Sequence, residues 1–149
     1  MMDEPVHCPK RQPTLRLVPM PGNENMFGDI FGGWVMSNVD IAGGVEAMRH
    51  ARGRVATVSV NSFQFHQPVS SGDVVSFYTE IVRVGRTSIT VQVQVFAERH
   101  PQKPITVKVT EAILTYVALD KEGQKRALPP AVWPELNEDD NVGEDLGRK

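Results

Sequence analysis

The sequence predicts an α+β domain in which one long helix is wrapped by a curved antiparallel sheet. Apolar residues recur at helical spacing in one stretch, from about residue 31 to residue 51. From residue 54 onward the period changes to two and persists through four long segments. Strands this long bury the apolar side of a single helix most economically by curling around it.

The first part of the chain predicts a short strand, a loop and the helix. Thr14 to Pro19 alternates enough for a strand, and Met20 to Asn25 has the composition of a loop. The helix is predicted from about Phe31 to Ala51. The apolar stripe expected to face the sheet is Trp34, Ile41, Val45 and Met48.

Two glycines interrupt this helix. Gly43 and Gly44 each disfavour helix by about 1 kcal/mol relative to alanine. Their presence predicts that a neighbouring backbone or a ligand approaches closely there.

Four strands are predicted after the helix: Val55 to Gln67, Asp73 to Val84, Thr87 to Glu98 and Ile105 to Leu119. In the first of them the apolar phase slips near Asn61 and Ser62, which predicts a β-bulge. Long strands leave exposed edges, and pairing with another subunit is a common way to cover them. We therefore expect a dimer with a continuous sheet.

Composition indicates one globular domain, spanning residues 14–130, among 149 residues. Residues 1–13 are expected to be a flexible N-terminus, and the acidic residues 131–149 a disordered tail. The net charge of −2 argues against nucleic-acid binding. Outside the tail the charge is mildly positive, which fits either a phosphorylated ligand or ordinary surface charge.

The cysteine and histidine content predicts a cytoplasmic protein without a metal site. Cys8 is the only cysteine, so no intrachain disulfide can form. The start of the chain lacks a signal-peptide pattern, and no apolar run is long enough to cross a membrane. The four histidines lack metal-ligand spacing.

Asp40 is the strongest catalytic candidate. It lies in the middle of a nearly uncharged helix, where burial of a carboxylate is costly unless partners or function compensate. The alternative is a core aspartate satisfied by the backbone or by Ser37. Asp29, the competing acid, precedes the helix and is predicted to cap its N-terminus.

Several motifs carry a resemblance to a known family. They include Asn25 to Met36, Val39 to Gly44 and Val84 to Ile89, within a match from about Leu15 to Pro129. These segments resemble the YciA-type acyl-CoA thioesterases of the hotdog superfamily. The resemblance implies the hotdog fold, a dimer often assembled as a trimer of dimers, and hydrolysis of acyl-CoA. It implies no cofactor, since coenzyme A is part of the substrate.

The resemblance also implies catalytic roles. Asp40 would act as general base or nucleophile, and both roles remain open. The oxyanion donor would be the backbone N–H of Gly32, at the start of the helix two turns before Asp40. Asn25 would orient water or the thioester carbonyl, although asparagine is also an ordinary turn former.

Coenzyme A requires cations for its phosphates and an apolar or stacking surface. An arginine at a strand turn is usually only solvated, and a phenylalanine usually belongs to the core. The residues that the resemblance places on coenzyme A or the acyl chain are Arg54, Arg86, Thr87, Ser88, Arg126, and Phe63 or Phe65.

Two alternatives to hydrolysis remain. A hotdog module could bind acyl-CoA without catalysis and regulate a partner, although no helix-turn-helix extension is present. A hydroxyacyl thioester dehydratase is less favoured, because Phe31 occupies the position where many hotdog proteins carry histidine.

Overall fold

A computed structural model describes residues 4–129, which form one helix and one five-stranded antiparallel sheet. The sheet order is β1-β3-β4-β5-β2. The elements are β1 (Leu15–Leu17), a 3-10 turn (Pro21–Asn23), α1 (Gly32–Ala51), β2 (Val55–Phe65), β3 (Val74–Val84), β4 (Ser88–Arg99) and β5 (Ile105–Ala118). The predicted α+β class and all predicted elements are confirmed.

The core lies between α1 and the face of the sheet that it crosses. On the helix it is built from small and β-branched residues, namely Val35, Val39, Ala42, Ala47 and Ala51. On the sheet it is built from alternate residues of three adjacent strands, including Phe77, Val91, Val93 and Leu114. Small residues on the helix let it approach the sheet closely.

The predicted apolar stripe of the helix is wrong at Ile41 and Met48. Ile41 and Met48 are 53% and 46% exposed, and Trp34 and Val45 are only half-buried. Trp34 packs against the core beside Phe77, but the rest of the covered side of α1 consists of small and β-branched side chains. Ile41 and Met48 lie on the exposed side. Periodicity identified an apolar helix but not which of its two apolar sides faces the sheet.

Strand β2 forms one edge of the sheet and is irregular. Its register against β5 shifts between Val60 and Ser62, which confirms the predicted bulge near Asn61. A second shift, between Thr57 and Ser59, was not predicted. Before this second bulge, Thr57 lies directly opposite Tyr116, so both side chains emerge on the same face of the sheet.

Residues 4–13 contain no helix or strand and lie along the sheet. The predicted flexible N-terminus is attached there, since Arg11 Nη1 donates to the carbonyl of Thr79 at 2.9 Å and Cys8 Sγ contacts Glu98. The predicted acidic tail, 131–149, lies outside the described residues. No helix within residues 4–129 combines the length and apolarity that crossing a membrane requires.

A half-buried carboxylate links α1 to β3. Glu46 Oε1 pairs with His50 Nε2 at 3.1 Å, and Glu46 Oε2 accepts a hydrogen bond from the Thr79 hydroxyl at 3.0 Å. The hydrogen bond from His50 is the main reason that the pKa of Glu46 is lowered from 4.5, with a further contribution from Thr79, while burial opposes the shift.

This network predicts a pH-dependent contribution to stability. Because the folded-state pKa of Glu46 is depressed, the stabilisation is present above pH 4.5 and is lost as pH falls through the lower folded-state value. Glu46→Gln should therefore lower the free energy of unfolding at pH 7, and the difference from wild type should shrink towards pH 3. Urea denaturation at one fixed protein concentration measures both.

Glu80→Gln is the matched control, because Glu80 is an exposed carboxylate on β3. It should change the unfolding free energy little at either pH. A Glu46→Gln difference that stays constant from pH 7 to pH 3 would contradict the proposed role of its carboxylate.

Candidate active site

Asp40 lies half-buried at the middle of α1, on the side nearest the start of β2. Its Oδ1 accepts a hydrogen bond from the Thr57 hydroxyl at 2.6 Å and another from the Tyr116 hydroxyl at 3.2 Å. Within residues 4–129 no hydrogen bond reaches Oδ2. The carboxylate is therefore held by one oxygen and presents the other.

The alternative partners considered from the sequence are not the ones observed. Neither Ser37 nor a backbone amide holds the Asp40 carboxylate; two hydroxyl groups from the sheet do. The two residues that hold Asp40 are a threonine and a tyrosine, so these contacts do not form the histidine–acid pair of a dehydratase. A close approach occurs at Gly43, as predicted, but the approaching group is the side chain of Tyr116 and not the backbone or ligand that was expected.

Gly32 is the first residue of α1, as its predicted role requires. Among the described residues, its N–H has no hydrogen-bonded backbone partner, so it is one of the free donors at the positive end of the helix. The predicted capping by Asp29 is wrong. The N-cap is Phe31, no side chain caps it, and Asp29 is exposed.

Asn25 shapes the loop that leads to the helix. Its Oδ1 accepts from the N–H groups of Phe27 at 2.9 Å and Asp29 at 3.2 Å. Its own N–H donates to the Asp29 carbonyl at 2.7 Å. The turn-forming interpretation therefore accounts for the amide oxygen, whereas no group of residues 4–129 is hydrogen-bonded to the side-chain Nδ2.

An apolar groove of about 340 Å³ opens beside the start of the helix. It is lined by Ile30, Gly32, Val35, Phe65, His66, Gln67, Pro68, Val69 and Val109. Phe65 packs directly over Gly32 and is half exposed. Phe63, the first of the two phenylalanines predicted for the substrate, contacts Phe65 in a tilted arrangement with ring centroids 4.9 Å apart. It packs against the core instead of lining the groove.

Gly32 and Asp40 do not meet within one chain. They are eight residues apart on the same helix, which separates them by about 12 Å along its axis. A single thioester carbonyl cannot contact both groups of one chain, because an attacking group and an oxyanion donor must each lie about 3 Å from the reacting atoms.

The residues predicted for coenzyme A cluster at the other end of the sheet. Arg54 precedes β2, Arg86 to Ser88 form the turn into β4, and Arg126 follows β5. The side chains of Arg54 and Arg86 are exposed. Arg126 is committed to the fold, since its Nε and Nη2 donate to the carbonyls of Leu119 at 3.0 Å and Ala51 at 2.7 Å.

Thr57 and Tyr116 are the site residues that the sequence reasoning missed. Each lies in a strand whose alternation looks ordinary, and each is distant from Asp40 in the sequence. The slip of apolar phase in β2 gave no signal for them, because it marks the bulge near Asn61 and not the register shift after Thr57. No cluster of potential metal ligands occurs within residues 4–129.

A long helix wrapped by an antiparallel sheet, with a carboxylate at its middle, defines a hotdog-fold enzyme. Cj0915 of Campylobacter jejuni, described as a hexameric hotdog fold thioesterase, superposes with a TM-score of 0.79 at 39% identity over 82% of this chain and 93% of that one. The aspartate-to-alanine mutant of HI0827, a hexameric broad specificity acyl-coenzyme A thioesterase, superposes at 0.77 with 37% identity, covering 93% and 96% of the two chains.

Sequence comparison gives the same family. Residues 27–103 match the thioesterase superfamily model. The acyl-CoA thioester hydrolase YciA of Escherichia coli strain K12 is 45% identical over 125 residues, which is 83% of this chain and 95% of the relative. The chain belongs to the thioesterase superfamily.

The contact between Thr57 and Asp40 predicts a catalytic defect when the hydroxyl is removed. Thr57→Val keeps the shape of the side chain but takes a strong hydrogen bond from Oδ1, so kcat for acyl-CoA hydrolysis should fall about tenfold. Thiol release under saturating substrate measures it.

Thr90→Val is the matched control, because the Thr90 hydroxyl pairs with Thr115 instead of with Asp40. This variant should retain the wild-type kcat. Equal rates for Thr57→Val and wild type would exclude a catalytic contribution from the Thr57 contact.

Proposed function

We propose that this protein is an acyl-CoA thioesterase that hydrolyses acyl-CoA to a carboxylic acid and free coenzyme A. The observation that carries the proposal is the Asp40 carboxylate, half-buried at mid-helix, held at Oδ1 and unpartnered at Oδ2 among the described residues. The relatives with the same fold and about 45% identity are acyl-CoA thioester hydrolases, which supports the substrate class.

The reaction requires a base or nucleophile, an oxyanion donor and a leaving thiolate. With Asp40 as general base, Oδ2 takes a proton from water while the water oxygen bonds to the thioester carbon. The C–S bond then breaks, and the thiolate leaves with a proton as free coenzyme A. With Asp40 as nucleophile, Oδ2 bonds to the carbon first and water cleaves the resulting anhydride.

We propose that each site is completed by a second copy of the chain. The 12 Å or so between Gly32 and Asp40 of one helix prevents them from sharing a carbonyl, whereas a two-fold dimer can bring Gly32 of one chain to Asp40 of the other. The long edge strand β2 exposes Val58, Val60 and Phe65, and the outer side of α1 exposes Met36 and Ile41. Both surfaces are suited to a partner subunit.

We also propose a hexameric assembly and a cytoplasmic location. Three such dimers would give the hexamer described for Cj0915 and HI0827. A reducing cytoplasm suits a chain with one cysteine, and the reaction requires no cofactor.

Coenzyme A would extend from Asp40 towards the basic end of the sheet. Arg54 immediately precedes β2, three residues before Thr57, so their backbones lie about 10 Å apart. Arg54 and Arg86 have exposed guanidinium groups for the phosphates, with Thr87 and Ser88 as hydroxyl donors. Arg126 would contribute only its remaining Nη1, and Phe65 would line the acyl side.

Replacing the Asp40 carboxylate tests the function. Asp40→Asn preserves the size of the side chain and removes its basicity, so thiol release from an acyl-CoA series should fall about 10²- to 10⁴-fold. Coenzyme A binding, measured by calorimetry, should be retained.

The controls separate the alternatives. Wild-type rates in Asp40→Asn would exclude the mechanism. If wild type and variant both bind coenzyme A and neither releases thiol, the chain is a binding module. Hydration of an enoyl-CoA by wild type would instead support the dehydratase.

The oxyanion donor can be deleted without disturbing the helix. Gly32 is the first helical residue, a position where proline is well accommodated, and Phe31 has the extended ψ of 134° that precedes proline. Gly32→Pro removes the N–H and should lower kcat about 10²- to 10³-fold. Gly32→Ala adds a Cβ against the same Phe65 ring and keeps the N–H, so it should remain active.

Mixed oligomers of Asp40→Asn and Gly32→Pro test the shared site. In a two-fold dimer one site carries both defects and the other carries none, so mixed dimers should recover about half of the wild-type rate. If Asp40 and Gly32 of one chain served the same site, every site would be defective and no activity would return.

A further inference from the structure

Tyr116 occupies the most enclosed position beside Asp40. The residue is 1% exposed, near the C-terminal end of β5, and its ring packs against the helix at Gly43. Its hydroxyl lies 2.9 Å from the backbone carbonyl of Asp40 and 3.2 Å from Oδ1 of the same residue. One O–H group is thus shared between the main chain and the side chain of Asp40.

A phenylalanine would fill the same space without burying a polar atom. Burial of a hydroxyl costs free energy unless it is hydrogen-bonded, and its two acceptors here both belong to Asp40. The Tyr116 hydroxyl is therefore explained by its two hydrogen bonds to Asp40, because phenylalanine would serve packing equally well.

Gly43 makes this contact possible. A Cβ at position 43 would lie 2.4 Å from the Tyr116 hydroxyl oxygen, and 3.1 and 3.2 Å from ring carbons Cζ and Cε2. The first distance is incompatible with any side chain, while the other two require only small shifts. Gly44, next along the helix, has an ordinary contact of 3.6 Å with the same ring.

The hydroxyl is protonated at neutral pH and can therefore donate. Burial, followed by the negative charge and hydrogen bond of Asp40, raises the pKa of Tyr116. A phenol that keeps its proton cannot add a second negative charge beside the carboxylate.

We propose that Tyr116 is a positioning residue that, together with Thr57, holds Oδ1 of Asp40 so that Oδ2 is the oxygen that acts on water or on the thioester carbon. The proposal rests on the proposed hydrolysis through Asp40. With two donors on Oδ1, rotation of the carboxylate is restricted and Oδ2 keeps its lone pairs for the reaction. Gly43 is required because it admits the hydroxyl.

Tyr116→Phe tests the hydroxyl alone. We expect kcat to fall about tenfold, with KM within about twofold of wild type, because a hydrogen bond to the reacting group is lost and substrate contacts are kept. Tyr78→Phe is the matched control. Tyr78 is the other tyrosine of the chain and is equally buried, but its hydroxyl faces Arg16. It should keep the wild-type kcat.

Gly43 provides a second, independent measurement. Gly43→Ala should lower both kcat and the melting temperature, because the new Cβ displaces the Tyr116 hydroxyl. The double variant Gly43→Ala/Tyr116→Phe should recover the melting temperature while its kcat stays at the level of Tyr116→Phe. Recovery of stability without recovery of kcat separates positioning from folding.

The outcomes distinguish this proposal from the proposed function. A folded Tyr116→Phe with wild-type kcat overturns the positioning role, provided that Asp40→Asn is inactive in the same assay. An active Asp40→Asn overturns the hydrolytic mechanism itself, and the positioning role with it. A loss of kcat in Tyr78→Phe equal to that in Tyr116→Phe would show a general packing effect and also overturn the proposal.

Discussion

The site depends on one constraint, which is that a carboxylate at the middle of a core helix must be compensated by the sheet. Asp40 obtains this compensation from Thr57 and Tyr116, which lie opposite each other on β2 and β5. Their pairing follows from the strand register, and the bulge after Thr57 separates this pair from the rest of β2. The geometry of the carboxylate is therefore set by sheet pairing more than by the helix that carries it.

The helix has apolar side chains on two sides, and this decides how the site is completed. One side consists of small residues such as Ala42 and Ala47, which fit closely against the sheet, while Met36, Ile41 and Met48 lie on the other and stay exposed. An exposed apolar side next to an exposed edge strand is unfavourable for an isolated chain. Gly32 and Asp40 also lie too far apart on this helix to contact one thioester carbonyl. A partner subunit would cover the exposed apolar side and could supply the missing group.

Most of the fold could be predicted from the sequence, because periods of 3.6 and 2 directly report which residues face a core. The ends of α1 and of the four long strands agree with the prediction to within two residues. Asp40 stood out as a charge in an apolar helix. Thr57 and Tyr116 did not, since their roles arise from contacts between distant parts of the chain. The exposed side of α1 was also missed, because periodicity cannot tell which apolar side is covered.

The two carboxylates of α1 differ in how their oxygens are used. Those of Glu46 serve the fold, whereas Asp40 is the carboxylate for which we propose catalysis. Glu46 uses both oxygens, Oε1 with His50 on the same helix and Oε2 with Thr79 on β3, so neither oxygen is left without a partner. Asp40 receives two hydroxyl donors on Oδ1 and, within the described residues, none on Oδ2. A carboxylate that only stabilised the fold would gain from a donor on each oxygen. Two donors on one oxygen stabilise the fold less than one donor on each, but they fix the orientation of the carboxylate. A reacting group needs such a fixed orientation.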